Sequence, residues 1–309
     1  MKKAIILTDG KAGHENQSKA FARALGLEPV LVPVKFKSPF AKTLSYLLDH
    51  LGIRTLSLFE HIDVLHDLHG SKIVIGTGSG TFYAAKALAR SVPGAKCGVV
   101  LYPRGYALSS FDCILAPAFD EPAKLANVVE IPANLVANDD AFYANGVTAF
   151  RERYSGATDN LVGVIVGGPN KCSSMSADWM KARLDEIFAA NAGAKLCVTT
   201  TRRTPSDVEA VVDSYPWAYK LIYSKDHFNP IPAFVKLAKR LYVTAESTGM
   251  LSEACTFGSA EVIALDNLKP GPHKFRRFVD NLRAAGYVDG SRKIDLSAEF
   301  ARARELMGA

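Results

Sequence analysis

Two series of short apolar runs constrain the fold of this chain more than any other feature of its sequence. Such runs, rich in β-branched residues and separated by amphipathic helical patterns, predict βα units that build parallel sheets. The runs of the first series are residues 4–7, 30–34, 73–75, 98–101, 113–116 and 128–131. Those of the second are residues 161–166, 195–200, 221–223, 241–244 and 261–265. The sequence therefore predicts two similar α/β halves.

A more polar and irregular segment, residues 137–160, separates the two series, and the sequence GATDN at its end has the composition of a linker. A chain of 309 residues is long enough for two domains that each bury a core. We therefore predict an N-terminal domain over residues 1–155 and a C-terminal domain over residues 156–309.

Composition excludes several classes of protein. Hydrophobic residues make up 48% of the chain and charged residues 22%, which excludes a largely disordered protein. No run reaches the ~18 apolar residues of a membrane span, and no cleavable signal is recognised, so we expect a cytoplasmic protein. The five cysteines are scattered without a CxxC pair, so neither a disulfide framework nor a zinc site is indicated.

The formal net charge of +6 favours anionic partners such as phosphorylated small molecules or a lipid surface. The sequence has no basic run interleaved with aromatic residues and no recognised nucleic-acid motif. We therefore expect no nucleic-acid partner.

The turn after the first predicted strand carries many polar groups. The sequence TDGKAGHENQ, residues 8–17, holds two glycines, a lysine, a histidine and a glutamate where a buried strand should turn into its helix. In open α/β sheets, ligands lie outside the carboxyl ends of the strands. We therefore predict that a ligand binds at this turn.

Two turns of the second half have residues suited to phosphate. In VGGPNK, residues 166–171, Gly167 and Gly168 would let a phosphate approach backbone N–H groups, and Asn170 lies in the same turn. In TTTRRTP, Arg202 and Arg203 end another strand, where guanidinium groups can pair with phosphate oxygens. Taken alone, the first stretch could be a simple tight turn and the second a solvated face.

A third stretch, VTAESTGMLSEA, predicts a strand, a turn and the start of a helix. Ser247, Thr248 and Gly249 would lie at the helix N-terminus, where free N–H groups and the helix dipole attract phosphate. Glu253 follows Ser247 by six residues, about 9 Å along a helix, so its carboxylate could reach sugar hydroxyls. The alternative is that Ser247 caps the helix and Glu253 is a solvated helix residue.

Five fragments together resemble the mitochondrial-fission Elm-type family, whose bacterial members are described as glycosyltransferases and earlier as nucleoside-diphosphate-sugar epimerases. The fragments are TDGKAGHENQ, FDCILAPAFDEP, VGGPNK, TTTRRTP and NPIPAFVKLAKRLYVTAESTGMLSEA. The resemblance implies a GT-B-like α/β fold, with two Rossmann-like domains whose parallel sheets face a central cleft. The first domain would be the acceptor side, and the second would bind the nucleotide sugar. By analogy with such folds, we expect the last helix, over residues 297–306, to pack back on the first domain.

The second half is also similar in outline to the N-acetylglucosaminyltransferase that makes lipid II. Carried over, this similarity implies that Glu253 contacts the ribose and that Phe228 and Asn229 lie near the base. The residues implied to contact the pyrophosphate are Gly167, Gly168, Ser247, Thr248 and Gly249. Enzymes of this kind need no bound metal, so we expect neither a metal site nor a separate cofactor.

The same enzyme has a glycine-rich loop that ends in Gly-His, like Gly13 and His14 here. A neutral imidazole, with a usual pKa near ~6.5, could take a proton from an acceptor hydroxyl, so we predict His14 as a general base. The alternative is a hydrogen-bonding turn residue. Further catalytic candidates are Lys11 and Glu15, and further binding candidates are Asp9, Gly10, Gly13 and Asn16.

Two other stretches of the first half bear on function. The turn GTGSGT, residues 76–81, fails the dinucleotide spacing, and we expect it to shape the acceptor side. In LAPAFDEP, Phe119 stands where the family usually has a histidine, a departure that would alter specificity or activity if that histidine has a chemical role.

Residues 34–62 combine four basic residues with many aromatic and aliphatic ones. Core packing between helices explains the apolar residues, and we favour it. The alternative is contact with an anionic membrane that carries a lipid-linked acceptor, which would make the protein peripheral on the inner face of the cytoplasmic membrane.

Three functions agree with these features. The first is a metal-independent glycosyltransferase that moves a sugar from a nucleoside-diphosphate sugar to an acceptor, in cell-surface glycan synthesis. The second is a nucleoside-diphosphate-sugar epimerase, for which we cannot assemble the acid and base groups around the sugar ring. The third is a non-catalytic adaptor related to the fission proteins of plants.

Overall fold

The computed structural model describes residues 2–60 and 71–309. The chain forms two compact units, one comprising Met1–Ala137 with Leu296–Ala309 and the other Asn138–Asp295. Each unit is built on one parallel sheet, and each predicted apolar run overlaps a strand of these sheets, although the run 221–223 does so only at Leu221.

The sheet of the first unit has six strands in the order β2-β1-β3-β4-β5-β6. They are β1 (Lys3–Thr8), β2 (Glu28–Pro33), β3 (Ile73–Thr77), β4 (Lys96–Val100), β5 (Cys113–Pro117) and β6 (Val128–Ile131). Ile5 of β1 lies opposite Val30 on one side and Val74 on the other. The strand order therefore reverses between β1 and β3, where a doubly wound sheet leaves a crevice at the carboxyl ends of its strands.

Helices cover both faces of this sheet. They are α1 (Ala12–Ala24), α2 (Pro39–His50), α3 (Phe82–Ser91) and the closing α10 (Ser297–Met307). Phe21 of α1 and Met307 of α10 share a core on one face, whereas Tyr83 of α3 belongs to the core of the other. A Cβ at Gly98 would lie 2.8 Å from Phe21 and 3.0 Å from Met307, so β4 needs a glycine where both helices press on it.

The sheet of the second unit has five strands in the order β11-β10-β7-β8-β9. They are β7 (Leu161–Ile165), β8 (Lys195–Thr199), β9 (Tyr219–Leu221), β10 (Arg240–Thr244) and β11 (Glu261–Leu265). Val164 of β7 lies between Tyr242 of β10 and Val198 of β8. The strand order here reverses between β7 and β10.

The helices of the second unit are α4 (Asp140–Arg153), α5 (Ala177–Ala190), α6 (Ser206–Asp213), α7 (Ile231–Leu237), α8 (Thr248–Phe257) and α9 (Lys274–Ala284). Met180 of α5 and Val208 of α6 are fully buried in the core on one face of the sheet. Helix α5 begins where the sequence predicts, because the Ser176 hydroxyl accepts a hydrogen bond from the N–H of Trp179.

The division between the two units lies earlier in the chain than the predicted boundary after residue 155. Helix α4 precedes that boundary but packs against α7, with the ring centroids of Phe150 and Phe234 5.7 Å apart. A Cβ at Gly146 would lie 2.6 Å from the Pro232 side chain, so the two helices are closely apposed. The linker-like composition of residues 156–160 therefore marks a turn inside the second unit.

A buried ion pair joins α2 to α3 in the first unit. Lys86 Nζ lies 2.9 Å from both carboxylate oxygens of Asp49 and donates to the Ala107 carbonyl at 2.7 Å. The side chains of Lys86 and Asp49 are 1% and 0% exposed. Burial lowers the pKa of the Lys86 ammonium, although the Asp49 carboxylate acts in the opposite direction. The pair is stable in the core because each charge has a partner.

Replacing Asp49 by Asn should destabilise the protein by about 3–5 kcal/mol, because it leaves the buried Lys86 ammonium without its counter-charge. Urea unfolding of the variant measures this loss. The matched control is Glu130→Gln, which breaks the exposed pair with Lys124 and should cost less than about 1 kcal/mol. Equal losses in the two variants would contradict this account of the ion pair.

Candidate functional site

An aspartate and a histidine pair at the carboxyl end of β1. His14 Nδ1 lies 3.0 Å from Asp9 Oδ1 and 3.1 Å from Oδ2. A carboxylate only accepts hydrogen bonds, so Nδ1 carries the proton of the neutral imidazole and Nε2 carries the lone pair. Within the described chain, Nε2 has no hydrogen bond, and the His14 side chain is 23% exposed. The pair therefore holds one nitrogen of His14 and leaves the other available.

Lys11 acts on Asp9. Its ammonium lies 2.8 Å from Asp9 Oδ2. Burial alone would raise the pKa of Asp9, but the interactions with Lys11 and His14 outweigh that effect, so the pKa of Asp9 lies below its usual value. Asp9 is thus kept as an anion beside the imidazole.

Glu15, the other catalytic candidate of this turn, faces a different partner. Its Oε1 accepts a hydrogen bond of 2.7 Å from the Thr8 hydroxyl, which in turn accepts the N–H of Gly10 at 3.0 Å. Glu15 therefore braces the turn rather than contacting His14. The binding candidates Gly13 and Asn16 are exposed on the first turn and a half of α1.

The glycine-rich turn after β3 packs against this pair. Gly78 has a φ of +82°, and a Cβ at this position would collide with the His14 ring. A Cβ at Gly80 would lie 2.9 Å from Asp9 Cβ. The two turns meet where the strand order reverses, so the absence of side chains on one turn makes room for the Asp9–His14 pair on the other.

In the second unit, the N–H groups of the double glycine bond within the protein. Gly167 N–H donates to Thr244 Oγ1 and Gly168 N–H donates to Glu246 Oε1, both at 2.8 Å. The similarity described in the sequence analysis implied that these N–H groups would contact a pyrophosphate. In the structure they join the carboxyl end of β7 to that of β10 instead, because the Thr244 hydroxyl and the buried Glu246 carboxylate accept their hydrogen bonds.

Glu246, which the sequence analysis did not select, organises this turn. It is 2% exposed, and besides Gly168 it accepts hydrogen bonds from Thr244 Oγ1 at 3.1 Å and Asn267 Nδ2 at 2.8 Å. A Cβ at Gly167 would collide with its carboxylate. The available signal was a glutamate two residues after Thr244, the last residue of a buried strand.

The polar candidates of the neighbouring turns also have partners inside the unit. Arg203 Nη1 donates to the Gly168 carbonyl at 3.1 Å, whereas Arg202 is exposed. Asn170 Oδ1 accepts the N–H of Cys172 at 2.7 Å. Arg203 and Asn170 therefore fix the shape of these turns, and Arg202 keeps its charge at the surface.

Helix α8 begins after Ser247, as predicted, but the Ser247 side chain accepts no hydrogen bond from the first turn. Gly249 is exposed, and a Cβ on it would have no atom within 4 Å. The first turn of α8, which borders open space at Gly249, has the backbone N–H groups and the dipole of a helix N-terminus, which attract anions.

Glu253 lies on the same helix and is held by two donors of the second unit. Its Oε1 accepts hydrogen bonds from the Tyr143 hydroxyl at 2.9 Å and from Asn138 Nδ2 at 3.2 Å. Burial raises the pKa of the Glu253 carboxyl, although both hydrogen bonds act in the opposite direction. Its Oε2 has no hydrogen bond within the described chain, so one oxygen is fixed and the other remains available.

Phe228 and Asn229 lie in the segment before α7. The Arg153 guanidinium stacks 4.3 Å from the Phe228 ring centroid, and Asn229 Oδ1 accepts the N–H of Ile231 at 3.2 Å.

Phe119, at the position of the family's usual histidine, is buried in the first unit. Over residues 2–60 and 71–309, no group of three or more His, Cys, Asp or Glu side chains is arranged to hold a metal ion.

The structure thus brings the sequence candidates together in two places. In the first unit, Asp9, Lys11 and His14 form one cluster. In the second, the Arg203 guanidinium donates a hydrogen bond to the Gly168 carbonyl. Ser247, Thr248, Gly249 and Glu253 share the first two turns of one helix.

Comparison with known proteins identifies relatives of this chain. The family described as "Mitochondrial fission ELM1" matches residues 12–301. The mitochondrial fission protein ELM1 of Arabidopsis thaliana is 22% identical, over 93% of this chain and 84% of the relative. These matches confirm the family resemblance found in the sequence.

Two solved structures have a similar fold. A UDP-GlcNAc 2-epimerase from Neisseria meningitidis, bound to UDP-GlcNAc, is 13% identical with a TM-score of 0.55, over 99% of this chain and 91% of the epimerase. A UDP-glucosyltransferase from Polygonum tinctorium is 10% identical with a TM-score of 0.50, over 99% of this chain and 89% of the enzyme. The predicted class, a GT-B-like α/β fold with two Rossmann-like domains and parallel sheets, is confirmed.

Replacing Gly168 by Ala should destabilise the protein by about 1–3 kcal/mol, because the added Cβ would overlap the backbone carbonyl of Arg203. Thermal unfolding measures the loss. Gly249→Ala is the matched control, since its Cβ meets open space on a helix and should leave stability within about 1 kcal/mol or raise it. If Gly168→Ala leaves the thermal stability unchanged, the turn can open readily and this account of the glycine is wrong.

Proposed function

The chain belongs to the mitochondrial fission ELM1 family, and from that premise we propose that it transfers a sugar from a nucleoside-diphosphate sugar to an acceptor hydroxyl. A sugar-nucleotide function is supported by the fold shared with a UDP-GlcNAc 2-epimerase and a UDP-glucosyltransferase. The observation that carries the proposal is the Asp9–His14 pair, with Nδ1 held and Nε2 available.

In this proposal, the first unit activates the acceptor. His14 Nε2 takes the proton of the acceptor hydroxyl as its oxygen forms a bond to the anomeric carbon. The bond from that carbon to the diphosphate oxygen breaks, and the nucleoside diphosphate leaves with the electron pair. Asp9 stabilises the imidazolium that forms and keeps the ring oriented, while Lys11 keeps Asp9 ionised.

The second unit holds the donor. The first turn of α8, with Thr248 and Gly249, would bind the diphosphate through N–H groups and the helix dipole, the kind of electrostatic stabilisation that favours a departing anion. Glu253 Oε2 would accept hydrogen bonds from the ribose, and Arg202 would add positive charge. Phe228 and Asn229 would lie near the base, and no metal or separate cofactor takes part.

Tyr143 and Asn138 are positioning residues in this proposal, because they fix one oxygen of Glu253 and so orient the other.

The acceptor would be a precursor of a cell-surface glycan or a lipid-linked one, and the protein would act in the cytoplasm. The likeness to an epimerase supports a second candidate, in which the same donor site serves sugar epimerisation.

Glu253→Ala should weaken binding of nucleoside diphosphates by about tenfold to 100-fold, since a hydrogen bond to a charged group contributes about 1.5–3 kcal/mol. Tyr143→Phe should weaken it less, because it removes only the hydroxyl that orients Glu253. Calorimetric titration with the diphosphates of uridine, guanosine and adenosine provides the measurement. Unchanged affinity in Glu253→Ala would remove that residue from the donor site.

His14→Ala should slow turnover by about 10²–10⁴-fold while nucleotide affinity stays the same. The assay follows nucleotide release from a panel of nucleotide sugars, with and without acceptor alcohols. Glu253→Ala is expected to weaken nucleotide binding, whereas His14→Ala is expected to slow turnover. Each variant therefore serves as the control for the other. The reverse pattern in the two variants would overturn the assigned roles.

The same assay separates the three candidate functions. Nucleotide release that depends on acceptor supports sugar transfer. Conversion of one nucleotide sugar into another without acceptor supports epimerisation. A protein that binds none of the nucleotides would act as a non-catalytic adaptor, as the name of the plant relative suggests.

A further inference from the structure

Helix α2 of the first unit exposes a stripe of apolar side chains. Phe40, Leu47 and Leu51 are 73%, 58% and 63% exposed, and Leu44 lies between them on the helix surface. Positions separated by four, three and four residues return to the same face of a helix. These four residues, called here the α2 stripe, therefore form one continuous band from the start of the helix to its end.

The opposite face of α2 is fixed in the core, so the stripe is the outer surface of a firmly anchored helix. Ala41, Ser45 and Asp49 are buried, and Asp49 forms the ion pair with Lys86. Tyr46 and Leu48 pack against the apolar core beneath. The predicted core packing of residues 34–62 thus accounts for only some of their apolar side chains, and residues 61 and 62 lie outside the described chain.

The charges around the stripe are suited to an anionic surface. Residues 35–60 contain four Lys or Arg residues and two carboxylates. Of those carboxylates, Asp49 is buried and pairs with Arg54 at 3.3 Å as well as with Lys86, and Glu60 pairs with Lys35 at 3.1 Å. Lys37 is exposed just before the helix. The cations without a carboxylate partner among the described residues are therefore Lys37 and Lys42. An apolar band beside such cations matches the interface of an anionic bilayer.

We propose that the α2 stripe docks this protein on the surface of a membrane that contains anionic lipids. Among the described residues, no helix is long and apolar enough to cross a bilayer. Docking would therefore be peripheral, with α2 lying in the plane of the interface. This inference stands independently of the proposed sugar transfer.

The docking helix also contacts the candidate acceptor site within the same unit. Lys42 Nζ of α2 donates to Ser79 Oγ at 2.9 Å. Ser79 lies between Gly78 and Gly80, the two glycines that pack against His14 and Asp9. A membrane bound by α2 would place lipid head groups on the side of the unit where this turn lies.

Co-sedimentation with vesicles tests the proposal on the full chain. The protein should bind vesicles of phosphatidylcholine mixed with phosphatidylglycerol more tightly than vesicles of phosphatidylcholine alone, and added salt should weaken that binding. The double variant Phe40→Ser with Leu47→Ser should bind the mixed vesicles at least about tenfold more weakly. Lys37→Glu should weaken binding about fivefold or more.

The matched control is the double variant Leu125→Ser with Phe142→Ser, which removes an exposed leucine and an exposed phenylalanine outside α2. It should bind as the unaltered protein does. In a second measurement, brominated lipids should quench the fluorescence gained in Phe40→Trp more than that gained in Leu125→Trp.

Two results would overturn the proposal. One is equal vesicle binding by the stripe variant and the unaltered protein, or no vesicle binding by either. The other is a dimer in solution that the stripe substitutions dissociate, without vesicle binding, since a second copy of the chain would then cover the stripe. Circular dichroism of both double variants should match the unaltered protein, because the changed side chains are exposed.

Discussion

Both units depend on one constraint, which is the close approach of two turns where the strand order of a parallel sheet reverses. In the first unit these turns follow β1 and β3, and in the second they follow β7 and β10. Each pair meets through a polar side chain on one turn and glycine on the other. Asp9 and His14 face Gly80 and Gly78, and Glu246 faces the double glycine. A Cβ at Gly78, Gly80 or Gly167 would occupy the volume of these polar groups, and a Cβ at Gly168 would overlap the backbone of Arg203.

The two reversal points have different chemical consequences. At the first, the half-buried carboxylate of Asp9 holds an imidazole whose second nitrogen is available, an arrangement suited to proton transfer. At the second, the Glu246 carboxylate is fully engaged with the protein, and it stiffens the ends of three neighbouring strands. The other candidate groups of the second unit lie on α8, at its first turn and at Glu253.

The sequence predicted the strands and the order of the elements because the signals for them are local. The run of residues 113–116, for example, corresponds to β5 at Cys113–Pro117. The missed features depend on partners distant in the chain. Glu246 binds Gly168 across 78 positions, and Tyr143 binds Glu253 across 110. Composition near residue 155 resembled a linker, but the packing of α4 on α7 assigns that segment to the second unit.

The central claim is that the helix start beside the second reversal point is where a nucleotide binds. The most direct measurement is a crystal structure of the protein with a bound nucleoside diphosphate. The account predicts the diphosphate on the first turn of α8, the ribose on Glu253 Oε2, and the hydrogen bonds of Glu246 unchanged. A diphosphate bound to the N–H groups of Gly167 and Gly168 after Glu246 has moved away, or a nucleotide bound elsewhere, would contradict it.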